Sequence, residues 1–306
     1  WAGAATDIQS AVDAAAAGGL VLVSNGTYAA GGVAGHPEGS RLTNRVAILV
    51  PLTVMSVNGP AATTIAGARD PATNGPASVR GVYLVEGATL AGFTVTNGTA
   101  LATGTQSGEV DGGGIWCAGP LATVSNCVVA GNRVKANGGG VLGGALWNCT
   151  VADNVASNGG GTCGSDLREC EVARNWVSVN GGGAYGGMLA GCAVTGNYAH
   201  ETGGGVWRGT CTNSVLADNE AHYQHGGGAF DSTLDNCVVE GNVAGNGGGG
   251  LRLGIARNCR FAGNQGGYGG GASRAAEHAF NSSHSQATHA GGGLQSQLTN
   301  CTVVGN

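Results

Sequence analysis

A triple glycine begins at Gly112, Gly138, Gly159, Gly181, Gly203, Gly226, Gly248, Gly269 and Gly291, and after a first step of 26 residues every step is 21 to 23. A unit of that size cannot bury an apolar face alone, so each copy must stack on its neighbours. Leucine-rich and helical repeats are excluded, because neither combines three glycines with two-residue apolar alternation. The regularity therefore predicts a solenoid before any single residue is weighed.

Within each copy the residue after the glycines is small or apolar, as in Ile115, Val141, Ala184, Val206 and Leu251. Further on, Val124, Leu146, Leu167, Leu189, Leu234 and Leu298 share a second inward position, and Val129, Val151, Val172, Val194, Leu216, Val239, Phe261 and Val303 share a third. Three short apolar segments between Gly and Asn turns predict a coil of three strands, each pairing in parallel with its copy in the next coil. The expected fold is all-β: a right-handed, three-sided parallel β-helix with about 22 residues per coil, its hand following that of parallel crossovers.

With 306 residues and no hinge-like linker, the chain reads as one domain. Residues 1–19 form a capping helix, 20–111 irregular first coils, and 112–306 the regular repeats. In the helical part Thr6 and Gln9 have capping-box spacing, Ile8 and Val12 lie on one side, and Gly18-Gly19 is the stop. Extended segments are expected at 20–23, 45–50 and 52–57. The last repeat closes at Asn306 without a polar cap, so either the chain continues or a partner covers its last coil.

A net charge of -5, with Lys135 the single lysine, supplies no basic stripe for phosphates, and no apolar run approaches the roughly 20 residues of a membrane helix. Neither nucleic-acid binding nor membrane insertion is expected, and no cofactor is. The opening at Trp1 reads as a processed or trimmed secreted product.

The stretches 8–28, 51–67 and 92–98, followed by GGG...NC.V..N units, resemble bacterial secreted parallel β-helix repeat proteins of the pectate-lyase-like superfamily, and more loosely polymorphic outer-membrane autotransporter passengers. The resemblance covers essentially the whole chain. It implies the fold and a secreted or cell-surface location, but not an activity, since that superfamily mixes lyases, hydrolases and adhesins.

Two ladders follow from the template. Asn132, Asn154, Asn175, Asn197, Asn219, Asn242, Asn264 and Asn306 each lie five residues after a cysteine slot, where a stacked amide can donate to one coil and accept from the next. Cys127, Cys149, Cys170, Cys192, Cys237, Cys259 and Cys301 fill that slot, with Ser214 in one copy. A buried free-thiol stack is the preferred reading. Vertical disulfides are the alternative, and the 22-residue spacing along one line argues against metal binding.

The side chain after the inward one should face out, which places Trp116, Leu142, Cys163, Tyr185, Trp207 and Phe230 in an exposed stripe suited to protein contact or sugar stacking. An acid–base centre is harder to find. His200, Glu201, Asp218, Glu220, His222 and His225 are the best concentration, with Glu201, His222 and His200 the weak catalytic candidates; His278, His284 and His289 belong to a degraded repeat. The leading reading is a surface structural protein, adhesin-like or fibre-forming and without chemistry, associating with itself or another surface protein. The alternative is a β-helix that binds or cleaves an acidic polysaccharide.

Overall fold

The computed structural model describes residues 3–70, 75–106, 108–273, 275–276 and 296–306. The chain divides into two compact units, Trp1–Ala156 and Ser157–Asn306. Each is built from short strands that pair in parallel with strands one coil away, which makes the fold a parallel β-helix.

In the second unit the first sheet holds the strands after the glycines, such as Ala184–Tyr185, Val206–Trp207 and Ala229–Phe230. The second sheet holds Met188–Ala190, Thr210–Thr212 and Thr233–Asp235, and the third Ala193–Thr195, Val215–Ala217 and Val238–Glu240. Register is strict: Leu189 faces Cys211 and then Leu234, while Val194 faces Leu216 and then Val239, all of them buried. The first unit repeats this with Leu90, Val124 and Leu146 in one column and Val95, Val129 and Val151 in another.

In the second unit the coil has a fourth side beyond the three expected. A fourth parallel sheet holds Trp176–Asn180, Tyr198–Ala199, Glu220–Ala221, Val243–Gly247 and Gln265–Tyr268. Each of its first four strands sends one small residue inward, namely Val177, Ala199, Ala221 and Ala244. One apolar residue per strand is too little to register as alternation, so this side of the coil reads as a turn from sequence.

Triple glycines make the corner between the fourth and first sheets. The first glycine has a positive φ, 68° at Gly181 and 65° at Gly203, and the third lies so close to the next coil that a Cβ at Gly183 would fall 2.6 Å from the Gly205 carbonyl oxygen. Only a residue without a side chain permits that approach.

The asparagine ladder is present in both units. Asn132 donates its backbone N–H and its Nδ2 to Asn154 Oδ1, each at 3.0 Å. In the second unit Asn175, Asn197, Asn219, Asn242 and Asn264 repeat that pair of bonds, and each amide from Asn197 to Asn264 also donates to a carbonyl of the coil before, 25 or 26 residues earlier, as Asn197 does to Val172. Asn264 bonds Asn306, 42 residues on, because Ser296–Thr299 pairs directly with Ile255–Arg257. The repeats expected around Gly291 and the histidines 278, 284 and 289 lie outside the described residues.

All ten cysteines are thiols outside any disulfide, and those of the ladder are buried. Burial pushes the Cys117 thiol up to about 12 and Cys127 to about 11, so they stay protonated and unreactive at neutral pH. Ser214 substitutes cleanly, accepting from the Cys192 N–H at 3.0 Å and donating to Thr212 O at 2.8 Å.

The helix spans Ile8–Ala14, with Ile8 and Val12 buried as the spacing required. Its N-cap is Asp7, not Thr6: the carboxylate accepts from Ser10 N–H at 2.8 Å. Gln9 is diverted from capping to the backbone of Ala47, accepting from its N–H and donating to its carbonyl, at 2.8 and 3.0 Å. The side chain thus stands in for a neighbouring strand at the end of the first sheet.

One excursion in the first unit is clamped by a buried carboxylate. Glu109 accepts from the Arg41 side chain and from the backbone N–H groups of Arg41, Thr105 and Gln106. The Arg41 guanidinium, then the backbone donors, hold its carboxyl down from 4.5 to about 2. Because the folded value is the lower one, this stabilisation is complete above about pH 4.5 and is lost as pH falls toward 2. Gly108 of the same excursion packs on the Trp116 ring with no room for a Cβ. Acid should therefore change Trp116 fluorescence across that window, and Glu109→Gln should produce the change at neutral pH; a signal flat from pH 5 to pH 2 would contradict the clamp.

Candidate functional site

The stripe expected on the first sheet is in register but closed. Trp116 stands opposite Leu142, and in the second unit Cys163, Tyr185, Trp207, Phe230 and Arg252 follow one another. None of its aromatic residues is fully exposed. Tyr185 and Trp207 stack at 4.2 Å, Arg208 lies 4.4 Å over Trp207 while pairing with Asp231 at 2.7 Å, and Phe230 lies parallel to His225. Trp116 is covered by Gly108, by the Arg80 guanidinium at 4.8 Å and by the edge of Tyr83. Residues one strand spacing apart, about 4.8 Å, are close enough to stack on each other, so the ring faces are occupied within the stripe.

Besides Trp147 on the second sheet, 47% exposed, an open aromatic surface lies along the fourth sheet. Its outward column in the second unit reads Trp176, Tyr198, Glu220 and Val243. Trp176 is 42% exposed, and its ring is parallel to that of Tyr198 within 4°, at 6.0 Å. Alongside runs His200 and then His222, whose backbones bond Val177 and Ala199 in the coil before. Tyr223, 59% exposed, presents itself edge-on to both imidazoles at 4.5 Å. The imidazoles are 6.4 Å apart, and His222 is 5.7 Å from Tyr198.

Polar groups border these rings. His222 Nδ1 lies 2.8 Å from Glu220 Oε1, and His200 Nδ1 lies 3.6 Å from Glu201 Oε1. Gln224 Nε2 donates to Glu201 Oε2. Burial, then the nearby Glu220 and Tyr223, push the Tyr198 hydroxyl above its ordinary value, so it remains a donor. The arrangement offers aromatic rings flanked by carboxylates, imidazoles and an amide on an open face.

The structure thus unites four of the six residues that sequence grouped: His200, Glu201, Glu220 and His222. Asp218 is instead a turn residue with φ 55°, immediately before Asn219, and His225 turns toward Phe230 at the glycine corner. Trp176, Tyr198, Tyr223 and Gln224 were not singled out. Their signal was available in the spacing, since Trp176, Tyr198 and Glu220 recur at 22 residues, but the copies differ in chemistry. Among the described residues no three His, Cys, Asp or Glu side chains gather to hold a metal ion, and no helix is long and apolar enough to cross a membrane.

No family model matches the sequence, and no curated protein matches it significantly. Among solved structures the chain is similar to pectate lyase Pel9A, at 13% identity and TM-score 0.47, covering 97% of this chain and 71% of that one. It is also similar to the A-module of the Azotobacter vinelandii mannuronan C-5 epimerase AlgE6, at 15% identity and TM-score 0.39, covering 98% and 94%. A rice weevil pectin methyl esterase is similar at 12% identity and TM-score 0.39, covering 97% and 85%. The fold itself is a β-helix of parallel sheets, as the sequence resemblance implied. At these values no residue and no reaction is carried over from any of the three.

Proposed function

We propose that this chain is a carbohydrate-binding β-helix, secreted or displayed at a cell surface, that holds a polysaccharide on the outer face of its fourth sheet. The observation that carries this reading is exposed Trp176, its ring parallel within 4° to that of half-buried Tyr198, with exposed Tyr223 and hydrogen-bonding groups beside them. Aromatic rings supply an apolar platform for a sugar ring, and carboxylate, imidazole and amide groups bond its hydroxyls. The strand spacing of about 4.8 Å is close to the length of one pyranose, so successive sugars can meet successive coils.

Trp176→Ala and Tyr223→Ala are each expected to weaken retention of soluble polysaccharides at least about tenfold in affinity electrophoresis. Trp207→Ala, in the closed stripe, should change it less than about threefold. A protein that retained no glycan and sedimented as filaments would return the reading to a structural rod that associates with its own kind.

Cleavage is a second reading, favoured by one contact. The Glu220 carboxylate 2.8 Å from His222 Nδ1 orients that imidazole as in a general base. Its test is depolymerisation of polygalacturonate or alginate that His222→Ala abolishes.

A further inference from the structure

We infer that the polysaccharide held on the fourth sheet carries free amino groups, as in a glucosamine polymer; this rests on the carbohydrate-binding reading of the same face. The argument is one of charge. On the strands that build the face, the ionic groups beside the rings are two carboxylates, Glu201 and Glu220, and two imidazoles, His200 and His222. Trp176–Asn180 and Val243–Gly247, which flank them, contain no charged residue, and the turn leading into the sheet adds one of each sign, Arg174 and Asp218. In formal charge the face is anionic, on a chain whose formal charge is -5.

An acidic sugar would meet two carboxylates, and among the described residues the fourth-sheet strands of the second unit contain no arginine or lysine to pair with it. A neutral sugar would leave Glu220 with His222, and Glu201 with His200 and Gln224, as their partners on the face. An amino sugar uses every feature: its ring stacks on the aromatic platform, and its ammonium pairs with Glu201 or Glu220. That cation also lies near the electron-rich faces of Trp176 and Tyr223, a favourable arrangement. The site is open to water, so the ammonium is not stripped of its hydration, and the gain is that of an exposed ion pair, modest and screened by salt.

Calorimetry on the whole chain near neutral pH, with a glucosamine oligomer and the same oligomer fully N-acetylated, tests this directly. The amine form is expected to bind about tenfold more tightly, and the difference should shrink as salt is raised. The double variant Glu201→Gln, Glu220→Gln should bring the two within about threefold while still binding the acetylated form. Equal affinities in the unaltered protein, or tighter binding of polygalacturonate, would overturn the inference and leave carbohydrate binding intact. Oligolysine binding as tightly as the glucosamine oligomer would also overturn it, since charge alone would then be recognised. Absence of binding to either oligomer and to every polysaccharide would remove the carbohydrate reading itself.

Discussion

Asn197→Leu is expected to lower unfolding free energy by about 4 kcal/mol, although the two side chains have nearly the same shape. Asn197 Nδ2 donates to Val172 O at 2.8 Å and to Asn219 Oδ1 at 2.9 Å, and its Oδ1 accepts from Asn175 N–H and Nδ2 at 3.0 and 2.9 Å. Leucine fills the volume and removes all four bonds, and each buried polar group that loses its partner costs about 1–3 kcal/mol. The damage reaches both neighbouring coils, because the amide donates to each of them and accepts from the one before. Asn236→Gly, at an exposed turn with φ 52°, should stay within about 1 kcal/mol. Urea denaturation read by far-ultraviolet circular dichroism compares them; a cost below 1 kcal/mol for Asn197→Leu would mean the ladder is held by packing alone.

Gly183→Ala should be as damaging, by at least about 3 kcal/mol, for a different reason. Its new methyl would lie 2.6 Å from Gly205 O, 2.9 Å from Val194 Cγ1 and 3.1 Å from Asn197 Nδ2. Backbone, core and ladder are all in the way, and the carbonyl cannot move without breaking the pairing of the next coil. Gly186→Ala is the informative comparison. Its φ is 72°, so alanine is strained there, but nothing lies within 4 Å, and a cost of roughly 1–2 kcal/mol is expected. If both variants had the same denaturation midpoint, the corner would be explained by backbone dihedrals and not by close approach.

Since the fourth sheet follows the Asn219 turn and precedes the Gly226 corner, these structural residues also set the site. The ladder fixes where Glu220 leaves the core, and the glycines fix how closely successive coils bring Tyr198 to His222. Glycan retention should therefore be weaker in Asn197→Leu than its residual folded fraction accounts for.

How much of this was legible depends on whether a residue's neighbour in space is also its counterpart in the repeat. The Asn and Cys ladders, the inward columns and the glycine corner were readable, because the same chemistry returns about every 22 residues and parallel stacking sets like on like. The helix cap was misplaced by one residue, from Thr6 to Asp7, because Gln9 was claimed by Ala47, a partner 38 residues away. The aromatic stripe was found in register, yet its exposure was misjudged. Alternation tells which side of a sheet a ring leaves from, but not whether the ring above it, an arginine or a distant excursion will cover it.

By itself, then, the sequence determined the stacked coil and everything held along its axis, since those contacts join equivalent positions and repeat as the chain repeats. Only the tertiary structure decided that the coil of the second unit has a fourth side, with Trp176 and Tyr223 exposed along it. A two-residue strand with a single inward alanine carries no period to detect. Trp176, Tyr198 and Glu220 stand at equivalent positions 22 residues apart, but the chemistry changes from coil to coil, so only the structure shows that they border one face with His222 and Tyr223.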